Sequence, residues 1–416
     1  EVLDKDGNFY IGNMRSARNE NVYILSGGND VFKPTYTFQG FRYVHIVECP
    51  EYLIDKKNFK AISVHSDMKR TGRFACGNEK INQLYHNTIW GQKSNYLDVP
   101  TDCPQRDERL GWTGDAQIFC DTAAYFFDYT SFARKYLRDM CDGRRRNGVF
   151  RQITPMGGID FYMNAMDGSA GWSDAGVLIP YRIYKKYGDL RILEDNYEAM
   201  RKYAIFKIKS VGKHYLTGLP TGLSRKDRKT ISNYGQSYGE WAEPMDVKAF
   251  AVSDFINPHP EETTAYIVYM LETMADIADI LGKSEDKELY TKHADIVRGG
   301  YQKLIETEKH SYDTDRQAKL VRPLYLKLLN EKQTEFAKKR LLKALDNYGW
   351  RLGTGFLSTP FILYVLADMD IEYAYRLLEN EEMPGWLFMP KMGANTIWES
   401  WEGTEAQGGV ASLNHY

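Results

Sequence analysis

The sequence lacks the marks of most familiar enzyme classes. It has no GxSxG turn to raise a serine nucleophile, no Walker loop for a nucleotide phosphate and no HExxH pair for zinc. Its 8 histidines are dispersed along 416 residues, and no EF-hand spacing of acidic residues occurs. Cysteine is scarce: Cys49, Cys76, Cys103, Cys120 and Cys141 make an odd set with no CxxC pair and no Cys/His metal spacing. That excludes a zinc ribbon and, at this length, argues against a disulfide scaffold. Neither sign of charge is in excess, with 54 Lys and Arg against 56 Asp and Glu and a net charge of -2. Nothing in that balance draws nucleic acid or an anionic membrane surface. No apolar run approaches the roughly 18–20 residues of a membrane span, and the opening EVLDKDGNFY is polar from its first residue.

What the sequence does have is aromatic surface. Aromatics make up 14% of residues, with 30 Tyr and 8 Trp. Most must pack in the core, yet an excess of this kind also suits a carbohydrate cleft, because the C–H faces of sugars stack on aromatic rings. Hydrophobic content of 43% and charged content of 26% are ordinary for a globular protein. A chain of this length predicts two or three domains, or one large helical barrel.

The first ~70 residues read as strands. Residues 38–47 (FQGFRYVHIV) and 61–66 (AISVHS) alternate apolar with polar and are rich in β-branched and aromatic types. They are expected to be a piece of a β-sandwich, ending with a linker near residue 72. The character changes at Gly72. Asn78 is placed to cap a helix in which Ile81, Leu84, Tyr85, Thr88 and Ile89 recur at helical spacing. Helices are then expected at about 79–95, 115–140, 173–187, 194–209, 262–281, 286–305, 316–329, 333–347, 358–368 and 371–379. Some ten helices with no strands of comparable length point to a mainly α fold, a toroid of paired helices over residues 73–416. The long junctions at about 96–114, 141–171, 211–260 and 380–416 hold most of the Gly, Trp, Asp and Glu, and chemistry is expected there.

Two acidic clusters stand out. The run DCPQRDERLGWTGD (residues 102–115) places Asp102, Arg106, Asp107, Glu108 and Asp115 beside Cys103, Pro104, Gly111, Trp112 and Gly114. The run ANTIWESWEGTEAQGG (394–409) sets Glu399 and Glu402 each behind a tryptophan, with Gly393, Gly403, Gly408 and Gly409 marking a loop. Glycosidases need one carboxyl group kept protonated and a second kept ionised, and neighbouring charges sort them. Two such clusters about 290 residues apart, each with a tryptophan, favour glycoside hydrolysis. Trp172 in GWSDAG and Trp241 in YGEWAEP lie among Gly and acidic residues rather than aliphatics, as contact surfaces do. His415, in SLNHY, reads on its own as a packed histidine.

The stretch VPTDCPQRDERLGWTGDAQ (99–117) resembles the signature of the α-L-rhamnosidases of glycoside hydrolase family 78. The likeness extends through YTFQGFRYVHI, GWSDAG, YGEWAEP, RLGTGFLSTPFILYVL, GANTIWESWEG and SLNHY, over almost the whole chain. It implies an (α/α)6 barrel catalytic domain preceded by β-sandwich domains. It also implies that the barrel continues past the NHY motif and that the N-terminal strands are the tail of a larger sandwich. By the same resemblance, Glu108 takes the place of the general acid and Glu399 that of the general base, with Glu399 preferred over Glu402. Asp102, Arg106, Trp112, Asp115, Trp172, Trp241 and His415 take the places of rhamnose-contacting residues. The reaction implied is inverting hydrolysis of terminal α-L-rhamnosides, with no cofactor and no metal. The partner is then a carbohydrate, not nucleic acid or a membrane. The alternatives are the same barrel acting on another sugar, or a non-catalytic carbohydrate-binding relative. Inversion calls for carboxyl groups roughly 6.5–9.5 Å apart, and Asp102 and Asp115 are expected to help keep Glu108 protonated. Asp107 has no role assigned.

Overall fold

The computed structural model describes every residue except 1, 5, 159–163, 214–221, 234–236, 250, 256 and 404–410. Gly408 and Gly409, used above as loop markers, therefore lie outside the described residues.

Before the helices there is little regular structure. Strand β1 (Val2–Leu3) pairs antiparallel with β2 (Phe9–Tyr10). The strands expected at 38–47 and 61–66 do not form ladders. Their alternation is real, but no neighbouring strand among the described residues offers backbone partners, and an unpaired strand has no stability of its own. Accordingly Phe41, Val44, Val47, Ile62 and Val64 are exposed.

From residue 79 the helical reading holds. Helix α1 (Glu79–Asn95) starts where Asn78 accepts hydrogen bonds from the Lys80 and Ile81 amides at 3.0 and 3.4 Å. A short hairpin, β3 (Tyr96–Leu97) and β4 (Val99–Pro100), leads to the 102–112 loop. Helices α2 (Thr113–Phe126) and α3 (Thr130–Asp142) divide the single helix expected at 115–140. The break has a local cause. Phe127 is extended, the Asp128 amide donates to Lys69 O at 2.7 Å, and Asp128 Oδ1 accepts from the Thr130 amide at 3.3 Å. The chain entering the barrel thus takes the backbone partners that would have continued α2. Gly72 permits that approach, since a Cβ there would lie 1.9 Å from Tyr125 O.

The remaining helices are α4 (Ala175–Tyr187), α5 (Leu190–Ser210), α6 (Pro260–Ile280), α7 (Ser284–Leu304), α8 (Gln317–Tyr325), α9 (Glu331–Asn347), α10 (Thr359–Met369), α11 (Ile371–Leu378) and a short α12 (Phe388–Lys391). They pack as successive pairs. Helix α2 lies on α4, α4 on α6 and α8 on α10, while α3 and α5 cover α4, α7 covers α6, α9 covers α8 and α11 covers α10. Helices α2, α4, α6 and α8 are the more deeply buried members. In α6, Ala265, Ile267, Met270, Leu271, Met274, Ile277 and Ala278 are all inaccessible to solvent. Odd-numbered α7 and α9 keep one wet, charged face. This is a mainly α, paired-helix barrel with a small N-terminal sheet. No helix among the described residues is long and apolar enough to cross a membrane.

Because α6 is encased by its neighbours, truncation there leaves a cavity that cannot collapse. Leu271→Ala is expected to lower unfolding free energy by about 2–5 kcal/mol, whereas Ile296→Ala on the exposed face of α7 stays within about 0.5 kcal/mol. Chemical denaturation of the two variants checks this.

Candidate active site

The site is assembled from loops at the ends of the buried helices. The 102–112 loop is closed on itself: the Asp102 amide donates to Leu110 O at 3.1 Å, and the Leu110 amide donates to Asp102 Oδ1 at 2.8 Å. It is then stitched to residues 152–154. The Thr113 amide reaches Gln152 O at 2.9 Å and the Thr154 amide reaches Gly111 O at 2.8 Å. Glycine is required at 111, where a Cβ would sit 2.0 Å from Thr154 O. At Gly114 a Cβ would sit 2.6 Å from the Trp172 indole, so this glycine lets the second tryptophan loop close in.

The carboxyl-terminal loop runs antiparallel to itself. The Glu399 amide donates to Ser412 O at 2.9 Å, the Ser412 amide returns to Glu399 Oε2 at 2.9 Å, and the His415 amide reaches Ile397 O at 2.7 Å. Gln105 Nε2 donates to Ser412 Oγ at 2.7 Å, which ties the two acidic clusters together.

At the centre is Arg106, only 1% exposed. Its Nη1 meets Glu399 Oε2 at 2.7 Å and its Nη2 meets Glu399 Oε1 at 2.9 Å, a bidentate fork. The same Nη2 also donates to Glu108 Oε2. Arg106 thus reaches a residue 293 positions away in sequence. Glu108 and Glu399 keep side-chain exposures of 21% and 24%, while Arg106 beneath them is sealed. The two acids are therefore the open members of a buried cluster. Sharing one nitrogen also fixes their spacing. The nearest oxygens can be no further apart than two hydrogen-bond lengths, roughly 5–6 Å. The shared guanidinium therefore holds the two carboxyl groups side by side.

Burial alone pushes the Glu399 carboxyl up, but His415 and Arg106 outweigh it and hold the group down at about 2. His415 Nε2 faces Asp115 Oδ1 at 3.3 Å. Burial pushes the imidazole down, yet the Asp115 hydrogen bond and the charges of Glu399, Asp102 and Asp115 lift it to about 9, so it is a cation at neutral pH. Asp102 is driven up to about 7, first by burial and then by the nearby Glu108 charge. Asp115 is paired with His415, and Glu108 faces two guanidinium groups. Asp107, unassigned from the sequence, accepts from the Ser16 amide at 3.2 Å and the Ser16 hydroxyl at 2.5 Å, and so tethers the N-terminal segment. Glu402 turns away and accepts the Met245 amide at 2.9 Å, which separates its role from that of Glu399.

The three tryptophans are brought together around Tyr238, a residue not singled out from the sequence. Its ring lies 6.0 Å from Trp112, 4.4 Å from Trp172 and 5.6 Å from Trp241. The signal was present inside YGEWAEP but is indistinguishable there from any core tyrosine. Trp172 is also covered by Phe356 at 5.1 Å, so its ring is buried rather than open. Its loop is fixed from behind, where Asp174 accepts from the Tyr203 hydroxyl and the Gly171 amide at 2.9 and 2.8 Å. Trp241 adopts φ 51°. Its carbonyl accepts the Phe356 amide at 2.8 Å, and the preceding Glu240 is buried against Arg322 at 2.6 Å and Ser358 Oγ at 2.8 Å.

Asp102, Cys103 and His415 each present a ligand atom within 4.8 Å of the others, and they belong to this same cluster. The sequence thus placed nine residues in one site, and the structure gathers all nine. It adds Gln105, Ser412, Tyr238 and, from the N-terminal segment, Arg15.

A helical toroid whose loops bring acids and indoles together is the architecture of the six-hairpin glycosidases. Comparison with known proteins bears that out: residues 69–416 match the bacterial α-L-rhamnosidase six-hairpin glycosidase domain, and residues 1–65 match the concanavalin-like domain of the same proteins. The chain belongs to the bacterial α-L-rhamnosidase family. It is 33% identical over its whole length to an α-L-rhamnosidase of Formosa agariphila and 33% identical to one of Streptomyces avermitilis, and it spans 43% and 38% of those proteins. The crystal structure of a Streptomyces avermitilis α-L-rhamnosidase complexed with L-rhamnose superposes with a TM-score of 0.84 at 32% identity, covering 100% of this chain and 38% of that one. A rhamnosidase of Dictyoglumus thermophilum superposes with a TM-score of 0.72 at 33% identity, over 84% of this chain and 37% of that one.

The lifted carboxyl of Asp102 has a consequence for stability. A carboxyl raised from 3.8 to about 7 on folding binds its proton more tightly in the folded state. Stability from this group therefore falls as pH rises from about 4 to about 7. Asp102→Asn keeps an oxygen for the Leu110 amide and has no proton to lose. Melting temperatures across that window should decline less steeply in the variant than in the parent; parallel curves would show that Asp102 is ionised throughout.

Proposed function

We propose that residues 73–416 form the catalytic barrel of an inverting exo-α-L-rhamnosidase and that residues 1–72 end a preceding β domain. The observation that carries the reading is the pair of half-open glutamates on one buried guanidinium, Glu108 and Glu399 on Arg106, beside the Trp112–Tyr238–Trp241 rings. Glu108 donates a proton to the glycosidic oxygen as the bond from the anomeric carbon breaks. Glu399, ionised at working pH, removes a proton from the attacking water on the opposite face. Inversion needs room for that water. Entry of the sugar supplies it, because hydroxyl groups of the ring compete for Arg106, Asp102, Asp115 and His415 and so part the two carboxylates. Loosening of the Arg106 fork also lets the Glu399 carboxyl rise toward its ordinary range, where it is a stronger base. The rings of Trp112 and Trp241 cover the apolar face and the C5 methyl group of the sugar, and the buried Trp172 backs them through Tyr238. No cofactor takes part.

The test uses a panel of nitrophenyl glycosides followed by an unactivated rhamnoside. The α-L-rhamnoside should be the preferred substrate, and proton NMR of the first product should show the β anomer. Glu108→Gln and Glu399→Gln should each reduce kcat on the unactivated substrate by about 10³-fold or more while rhamnose still binds. Release of the α anomer first, or near-parental turnover in either variant, would overturn the assignment.

A further inference from the structure

The N-terminal segment places a second cation on the acid. Arg15 Nη1 meets Glu108 Oε2 at 2.9 Å, on the same oxygen that Arg106 Nη2 holds from below. Arg15 is no stray surface side chain. It sits at φ 58° between the buried Met14 and Ser16, whose amide and hydroxyl are both bound by Asp107. Four residues after Arg15, Asn19 Nδ2 donates to Gln105 O at 2.6 Å. Residues 14–19 are therefore bolted to the same 102–108 loop that carries the acid, and Arg15 is delivered to it from outside the barrel. The other Glu108 oxygen, Oε1, accepts no hydrogen bond among the described residues. The remaining ionisable groups facing Glu108 are Asp102, Cys103 and Tyr238, with Glu399 across the guanidinium.

We propose that Arg15 is a positioning residue for catalysis, which with Arg106 commits Oε2 of Glu108 to accepting and leaves Oε1 to carry the transferable proton. This rests on reading Glu108 as the general acid. A carboxylic acid whose carbonyl oxygen is held by two guanidinium groups can place its hydroxyl on the other oxygen only. As Oε1–H gives its proton to the glycosidic oxygen and the bond to the anomeric carbon breaks, the negative charge left on Glu108 forms between two cations. Arg15 thus aims the acid and gives the charge that develops on it a second cation. The contact also gives the preceding β domain a part in the chemistry, since the cation is not available to the barrel alone.

The sign of the effect supplies the test. Removing a cation beside an acid lets it keep its proton to higher pH. In the full chain, Arg15→Met should move the basic limb of the kcat/KM profile upward by about half a unit to one unit, the lower end of an ion-pair effect because Arg15 is half-exposed. It should also lower kcat several-fold on a rhamnoside with a poor leaving group while leaving KM near the parental value. Arg15→Lys should return the limb most of the way. Glu108→Gln, assayed alongside, separates two failures. An unmoved basic limb in Arg15→Met, with Glu108→Gln inactive, overturns the role of Arg15 and leaves the acid assignment standing. Activity in Glu108→Gln overturns both.

Discussion

A buried guanidinium with two carboxylates on it organises this molecule. A cation sealed from water is tolerable only if its charge and donors are matched, and removing one partner leaves an uncompensated charge inside. Arg106 matches its charge and its terminal nitrogens with Glu399 through a bidentate fork and with Glu108 on Nη2, while its buried Nε has no partner among the described residues. Lysine could not do this, because a single ammonium has no planar fork with which to span two carboxylates. The consequence is long-range. Loops from opposite ends of the chain are held in register by one side chain, and the two glutamates are kept at the mouth of the cluster rather than within it.

The rest of the site follows from what such a cluster needs around it. His415 must be a cation for Asp115, Asp102 and Glu399 to share so small a space, and its lifted ionisation is the counterpart of the depressed Glu399 carboxyl. The loops that carry these groups cannot drift, because each is sewn to a neighbour by backbone bonds. Gly111 lies on Thr154, the 396–399 segment on 412–415, and the Trp241 carbonyl on Phe356. Further out, Arg322 buried between Glu240 and Glu262 fixes the base of the Trp241 loop by the same logic of matched interior charge. The helices supply rigidity: with most of α6 buried, a loop anchored at its ends inherits little motion.

How much of this was legible in the sequence depended on the range of the physics involved. Helices with periodic faces and local signals were readable, as Asn78 shows at the start of α1. The division of α2 from α3 was not, because it is made by residues 69–72 taking backbone bonds from another part of the chain. The strands at 38–47 and 61–66 failed for the converse reason: alternation describes a face, and a ladder needs a partner. In the site, the acids and tryptophans were legible because their residue types are unusual among glycines. Tyr238 was hidden among 30 tyrosines, Asp107 had a tethering role visible only once Ser16 was beside it, and no pattern pointed to Arg15. Ionisation was the least legible property. The Asp102 carboxyl is lifted first by burial, which could not be read from DCPQRDERLGWTGD.

The fork of Arg106 is tested most directly by kcat/KM of Arg106→Lys toward an unactivated α-L-rhamnoside. The substitution keeps a positive charge in the cluster and removes only the planar geometry that joins the two glutamates. A loss of about 100-fold or more, in a variant whose helical content is unchanged, is the result expected if that geometry sets the reacting groups. Activity within a few-fold of the parent would mean that charge alone suffices and that the shared guanidinium is not what organises the site.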